Sequence, residues 1–184
     1  MCSCSMPSYR TYYESVPYAV DYINKKWLLT PIKGESESLE KQDSYATNEL
    51  KSCLGENLIE HFDSKSGYML PKNTNISPNL YLQTLQTTDL DYWIEIKNSI
   101  ERENNSGNVS VKSSFNNTFV DIVVTINIYD IKQRNLIYSQ KVKGSLSTEG
   151  SKDDVVLHKS TSGIQYKALQ KAVKNLKKDM LCKK

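Results

Sequence analysis

No stretch of this 184-residue chain approaches the roughly 18 consecutive apolar residues that a membrane-spanning helix needs. Glycine is scarce, with seven residues and no cluster that would bring backbone amides against a phosphate. The phosphate loop G-x-x-x-x-G-K-[ST], the dinucleotide fingerprint G-x-G-x-x-G, the nucleophile elbow G-x-S-x-G and the zinc motif H-E-x-x-H are all missing. Nucleotide binding is therefore disfavoured. An excess of one charge is lacking too. Lys and Arg number 24 against 21 Asp and Glu, a net charge of +3, and the isoelectric point of 8.5 is only mildly basic. A nucleic-acid binder concentrates a larger excess on one face, so no nucleic-acid partner is expected.

Cysteine is too sparse for a disulfide framework in a chain of this size. Of the four, Cys2 and Cys4 lie in a tail, Cys53 in a predicted helix and Cys182 near the other end. Cys2-x-Cys4 lacks a second ligand pair at useful spacing, and His61 and His158 are isolated, so neither a metal nor another cofactor is expected. A Cys53–Cys182 bridge stays open, although Cys53 reads more simply as a small buried apolar residue. What is abundant is tyrosine. There are twelve, beside three Phe and two Trp, and Tyr9, Tyr12, Tyr13, Tyr18 and Tyr22 crowd the start.

Residues 1–25 read as a flexible Tyr-rich arm or tether, with Pro7 and Pro17 interrupting any long helix. Residues 26–184 read as one α/β domain. Lys26 to Ile32, closed by Pro31 and Gly34, predicts a short buried strand. Leu50, Cys53, Leu54, Leu58 and Phe62 share a stripe, predicting a helix over 44–62 capped by Asp43 or Ser44. Tyr68–Pro71 predicts a second strand, and Ser77-Pro78 opens a short helix through Leu85. Asp91 to Ile100 alternates, with Tyr92, Ile94, Ile96 and Ile100 facing one way. Residues 104–117 read as a polar loop in which Val109 and Val111 could extend an edge. Val120, Ile122, Val124, Ile126 and Ile128 mark a long half-buried strand, Lys132 to Asn135 a turn, and Leu136 to Val142 its return. Ile164 to Leu181 carries Leu169, Val173, Leu176 and Met180 on one helical face. The expected fold is a single-domain mixed sheet of about five strands, parallel at first and ending in an antiparallel hairpin, with about three helices packed on it.

No constellation of residues points to a reaction, and a non-enzymatic protein is expected. Cys53 and His61 lie eight residues apart on the predicted helix, about 12 Å along its axis, too far for a nucleophilic pair. They read as a core cysteine and a surface histidine. Asp154 and His158 fit a surface pair, and Asp89, Asp91 and Glu95 form an acidic cluster without a catalytic spacing. Lys167, Lys171, Lys174 and Lys178 line one face of the last helix at 4-3-4 spacing. They suit contact with anionic lipid headgroups, cell wall or an acidic partner, or else a solvated face near a helix C-terminus. Four N-x-[ST] sequons fall in Asn-rich stretches and read as chance occurrences.

The segment Met1-Cys2-Ser3-Cys4-Ser5 has the look of a bacterial lipoprotein after removal of its signal peptide, with Cys2 as the acylated residue. If Met1 is the native start, the protein belongs in the cytoplasm instead. Three further phrases bear on family: Trp27-Leu28-Leu29-Thr30-Pro31-Ile32, then Thr88-Asp89-Leu90-Asp91-Tyr92-Trp93-Ile94, then Ile128-Tyr129-Asp130-Ile131 with Leu136-Ile137-Tyr138-Ser139. With the order of elements over residues 26 to 181, they resemble a group of bacterial envelope lipoproteins that share a compact α/β domain. That group includes the curli-export lipoprotein CsgG, the exopolysaccharide-export lipoprotein PelC, the penicillin-binding-protein activator LpoB and the amino-terminal domain of TolB. The inserts near 34–43 and 101–118 are too short and polar for the membrane hairpins of a secretion pore. The resemblance implies a non-catalytic accessory or scaffold on the periplasmic side of the outer membrane, lipid-anchored and working with envelope proteins, cell wall or further copies of itself. The alternative is a soluble periplasmic small-molecule or polysaccharide-binding module, its crevice around Lys33 and Pro71 to Asn75.

Overall fold

Alternating apolar residues set the middle of the molecule. A computed structural model describes residues 6–15, 24–34, 36, 38–61, 76–105, 115–151 and 160–179. In chain order the elements are β1 (Ser8–Ser15), β2 (Trp27–Leu29), α1 (Leu39–Leu54), β3 (Leu58–Glu60), α2 (Pro78–Leu85), β4 (Tyr92–Asn105), β5 (Phe115–Asp130), β6 (Asn135–Ser151) and α3 (Thr161–Asp179). The strands make one six-stranded sheet in the order β1-β6-β5-β4-β2-β3. β2 runs parallel to β3 and β4, and the β4, β5, β6 and β1 neighbours are antiparallel. Among the described residues, a mixed sheet with three α-helices matches the expected class.

The period-2 pattern sorts the side chains into two layers. Trp27, Leu29, Tyr92, Ile94, Ile96, Val124, Ile126 and Ile128 pack under α1 and α3. Leu28, Trp93 and Tyr129 point the other way and pack with Tyr81, Leu82 and Leu85 of α2. Each fully buried large side chain contributes roughly 1.5–3 kcal/mol relative to exposure. The α2 start follows its sequence signal. Pro78 occupies the first turn and the Ser77 hydroxyl accepts from the Leu80 N–H at 3.4 Å.

Four sequence expectations need correction. First, among the described residues the sheet has six strands rather than five, because Ser8–Ser15 of the supposed flexible arm is an edge strand paired antiparallel with β6. Its alternation hides because Tyr9, Thr11 and Tyr13 turn toward α3 while Arg10, Tyr12 and Glu14 face away, and neither set is uniformly apolar. Second, the first helix spans Leu39–Leu54 rather than 44–62. Asp43 does not cap it but accepts from the Ile32 N–H at 2.8 Å, and Gly55, at φ 59°, ends it. Third, Leu58–Glu60 is therefore strand β3 beyond that helix. The strand read at 68–71 lies outside the described residues. Fourth, β4 and β5 reach into the supposed loop, covering 104–105 and 115–117. Within β4, Ile100 ends up exposed beside a register shift in the β4–β5 pairing.

Gly34 decides how the chain leaves β2. Lys33 bridges to Lys97, and the Asn98 N–H donates to the Lys33 carbonyl at 2.7 Å, so the backbone crosses hard against β4. At φ 129°, a β-carbon on residue 34 would stand 2.2 Å from the Asn98 carbonyl oxygen. Only glycine fits.

Candidate functional site: a basic cleft between two helices

The amphipathic pattern of α3 buries Ile164, Ala168, Leu169, Ala172, Val173 and Leu176 completely. Ala168 and Ala172 allow a close approach to the sheet, where the Gln140 side-chain amide donates to the Ala172 carbonyl at 2.7 Å. The opposite face carries the lysines. Two of the four predicted ones, Lys171 and Lys174, line a cleft of about 680 Å³ between α1 and α3, whereas Lys167 and Lys178 lie outside it. Lys177, absent from the predicted stripe, lines it as well.

From α1 come Tyr45 and Glu49; Gln170 and Asn175 complete the α3 wall. The Lys177 ammonium is committed to Glu49 at 2.7 Å and to the Ser52 hydroxyl at 3.0 Å. Lys171 donates to the Tyr9 backbone carbonyl at 2.8 Å, which fixes its position and leaves its charge uncompensated. Lys174 is exposed and has no partner among the described residues. Three ammonium groups thus face one carboxylate. Tyr45 is half-buried and packs edge-on against Tyr166 at 5.5 Å, with Lys41 4.9 Å over the Tyr166 ring. Burial, and then the charges of Glu49 and Tyr166, raise the Tyr45 phenol, so it stays a protonated donor at neutral pH. Stripe spacing alone finds Lys171 and Lys174. The contribution of α1 leaves no local signal.

A second charged group lies on β4. Glu95, fully buried, accepts from Lys33 at 2.7 Å, and Lys97 stands at 2.9 Å. The Tyr129 hydroxyl donates to it at 3.3 Å and the Asn127 amide at 3.4 Å. Burial pushes the Glu95 carboxyl up, but the hydrogen bonds and charges of Lys33 and Lys97 outweigh it and hold the group below the ordinary carboxylate value. Lys33 also sits 5.6 Å over the Trp93 ring. The acidic cluster read from the sequence is thereby split. Asp91 takes Lys132 at 2.9 Å, Lys25 at 3.5 Å and the Lys26 N–H at 3.0 Å, while Asp89 pairs with the Lys26 ammonium. Lys33 is likewise engaged by Glu95 rather than open at a crevice, and 71–75 lies outside the described residues.

Two further expectations change. Cys53 is disulfide-bonded, so it is not a plain core thiol. The other cysteines, Cys2, Cys4 and Cys182, all lie outside the described residues. His61 is buried rather than on the surface. It follows β3, where its N–H donates to the Leu29 carbonyl at 3.1 Å and its ring stacks 6.4 Å from Tyr81. Cys2, Asp154 and His158 fall outside the described residues. Among the described residues no group of three or more His, Cys, Asp or Glu could hold a metal ion, and no helix is long and apolar enough to cross a membrane.

The fold and cleft define a mixed α/β domain with a basic groove on its helical face. No protein-family model matches the sequence, and neither does any curated protein. Among solved structures, the chain is similar to the PelC dodecamer from Paraburkholderia phytofirmans. That match has 14% identity and a TM-score of 0.47, covering 97% of this chain and 100% of that one. It is also similar to a neuraminyllactose-binding hemagglutinin homolog from Helicobacter pylori, at 12% identity and a TM-score of 0.49, covering 92% and 89%. A third likeness is to lipoprotein GNA1162 from Neisseria meningitidis, at 14% identity and a TM-score of 0.39, covering 84% and 99%. The neighbours are thus bacterial PelC-like and lipoprotein-type proteins.

Proposed function

We propose that the chain is a non-catalytic cell-envelope lipoprotein domain, held to a membrane through Cys2 and serving envelope assembly, secretion or cell-wall maintenance as an accessory or scaffold. The observation that carries this reading is the disulfide at Cys53. Stable disulfides belong to oxidising compartments such as the periplasm and are rare in the cytosol.

The tether has a physical consequence. Ser8, where β1 begins, is six residues after Cys2, a length that spans at most about 20 Å. An acyl chain on Cys2 therefore holds the β1 edge of the sheet close to the bilayer, with Lys167 and Lys178 exposed on the neighbouring helix. The expected contacts are with envelope proteins or cell wall and with further copies of the chain. Fractionation of the native host tests the anchor. The wild-type protein should sediment with membranes and carry an acylated Cys2 by intact mass, and Cys2→Ala should release it. An unmodified chain in the cytosolic fraction overturns the proposal.

The cleft between α1 and α3 supports a second reading, a polysaccharide- or small-molecule-binding module, at a different place from the Lys33 crevice.

A further inference from the structure

We infer that the α1/α3 cleft binds an acidic saccharide of the uronate type, a sugar ring that carries a carboxylate among its hydroxyls. Three features of the lining converge on that chemistry. The first is charge. Lys171 uses one donor on a neutral carbonyl and Lys174 uses none, so two ammonium groups are available to a carboxylate after Glu49 has taken Lys177.

The second is neutral hydrogen bonding. Asn175 spends one amide N–H on the Thr11 hydroxyl at 3.2 Å and keeps its carbonyl, while the Gln170 amide has no partner among the described residues. Amides that both donate and accept suit hydroxyl groups and offer little extra to a bare anion. The third is Tyr45 in the wall, which joins aromatic apolar area to a hydroxyl tip, a pairing that suits a pyranose. A cleft of about 680 Å³ lies within the range of small-molecule sites.

The recess also argues against the competing occupants. A planar bilayer reaches convex surfaces, and the two lysines best placed for it, Lys167 and Lys178, are outside the cleft. Nucleic acid needs a longer basic track with several stacking rings.

The inference does not invoke the lipid anchor, and it is tested on the full chain carrying Cys2→Ala. The probe is trigalacturonate, with its methyl ester as the uncharged control, followed by calorimetry and by chemical-shift changes in the Lys171–Asn175 segment. We expect trigalacturonate to bind at least about tenfold more tightly than the ester, as a charge-assisted contact implies. Lys174→Ala should cost about tenfold and Gln170→Ala a few-fold, with unchanged melting, while Lys167→Ala should leave affinity alone.

Equal binding of acid and ester overturns the inference, as does no binding at millimolar trigalacturonate. Competition by inorganic phosphate with the same affinity and the same dependence on Lys174 would show a generic anion site and overturn it as well. Phosphatidylglycerol vesicles that bind through Lys171 and Lys174, with trigalacturonate inert, would assign the lysines to a membrane instead.

Discussion

Two groups of lysines on this chain have opposite fates. Lys33 and Lys97 converge on a fully buried carboxylate, Glu95, and their charge is consumed inside the protein. Lys171 and Lys174 flank a cleft where the single carboxylate, Glu49, is already taken by Lys177. The first group stabilises a fold, since a buried charge is tolerable only when paired and hydrogen-bonded. The second leaves charge facing solvent in a concave place, where it is available to something that is not part of the chain. Counting lysines does not separate the two; the location of the acidic partner does.

The largest expected effect strikes the support of the first group. Gly34→Ala drives a β-carbon into the Asn98 carbonyl and should destabilise by roughly 3 kcal/mol or more, displacing Lys33 from Glu95. Urea unfolding measures it, and a loss below about 1 kcal/mol would mean that the Lys33–Lys97 crossing is not tight. Reduction of the Cys53 disulfide, or Cys53→Ser, should lower stability by about 2–4 kcal/mol through loss of the cross-link, seen as a lower melting temperature in the oxidised-versus-reduced comparison.

Glu95→Gln comes next, at about 1–3 kcal/mol near pH 7. Its pH dependence gives the sharper test. Because the folded-state carboxyl is held below its unfolded value, its stabilisation is present above the unfolded pKa of about 4.3 and fades as pH falls through the lower folded value. Wild type and Glu95→Gln should therefore converge in urea midpoint in strong acid and separate toward neutrality. A gap independent of pH would remove charge pairing as the cause.

The smallest stability effects belong to the cleft. Lys177→Ala breaks a partly exposed pair with Glu49 and should cost up to about 1 kcal/mol. Lys174→Ala should stay within about 0.5 kcal/mol in thermal melts. A clear loss of stability on Lys174→Ala would place that residue with the first group and weaken the contrast.

Much of the fold is legible in the residues themselves. The alternation from Val120 to Ile128, the Ser77-Pro78 helix start and the Leu169/Val173/Leu176 stripe each report a local period or a local cap. The elements that misled share a different property. α1 carries Gln42 fully buried on its inner face, where the side chain donates to Ser36 and Ser38 at 2.9 Å and accepts from Asn98, so an apolar stripe search starts the helix too late. Gly55, at φ 59°, is the stop signal of that helix. The cleft was half legible, because helical spacing aligns Lys171 with Lys174 but says nothing about Tyr45 and Glu49.

By itself the sequence determined the middle strands, the cap of α2 and the inward stripe of α3, since each depends on residues within one or two turns or pleats of one another. Tertiary structure alone decided that Ser8–Ser15 joins the sheet against β6, that Lys33 reaches Glu95 across 62 positions and that Lys177 meets Glu49 across 128. Those pairings follow from which surfaces pack together once the core has formed, and segments so far apart in the chain carry no shared local pattern that would announce them.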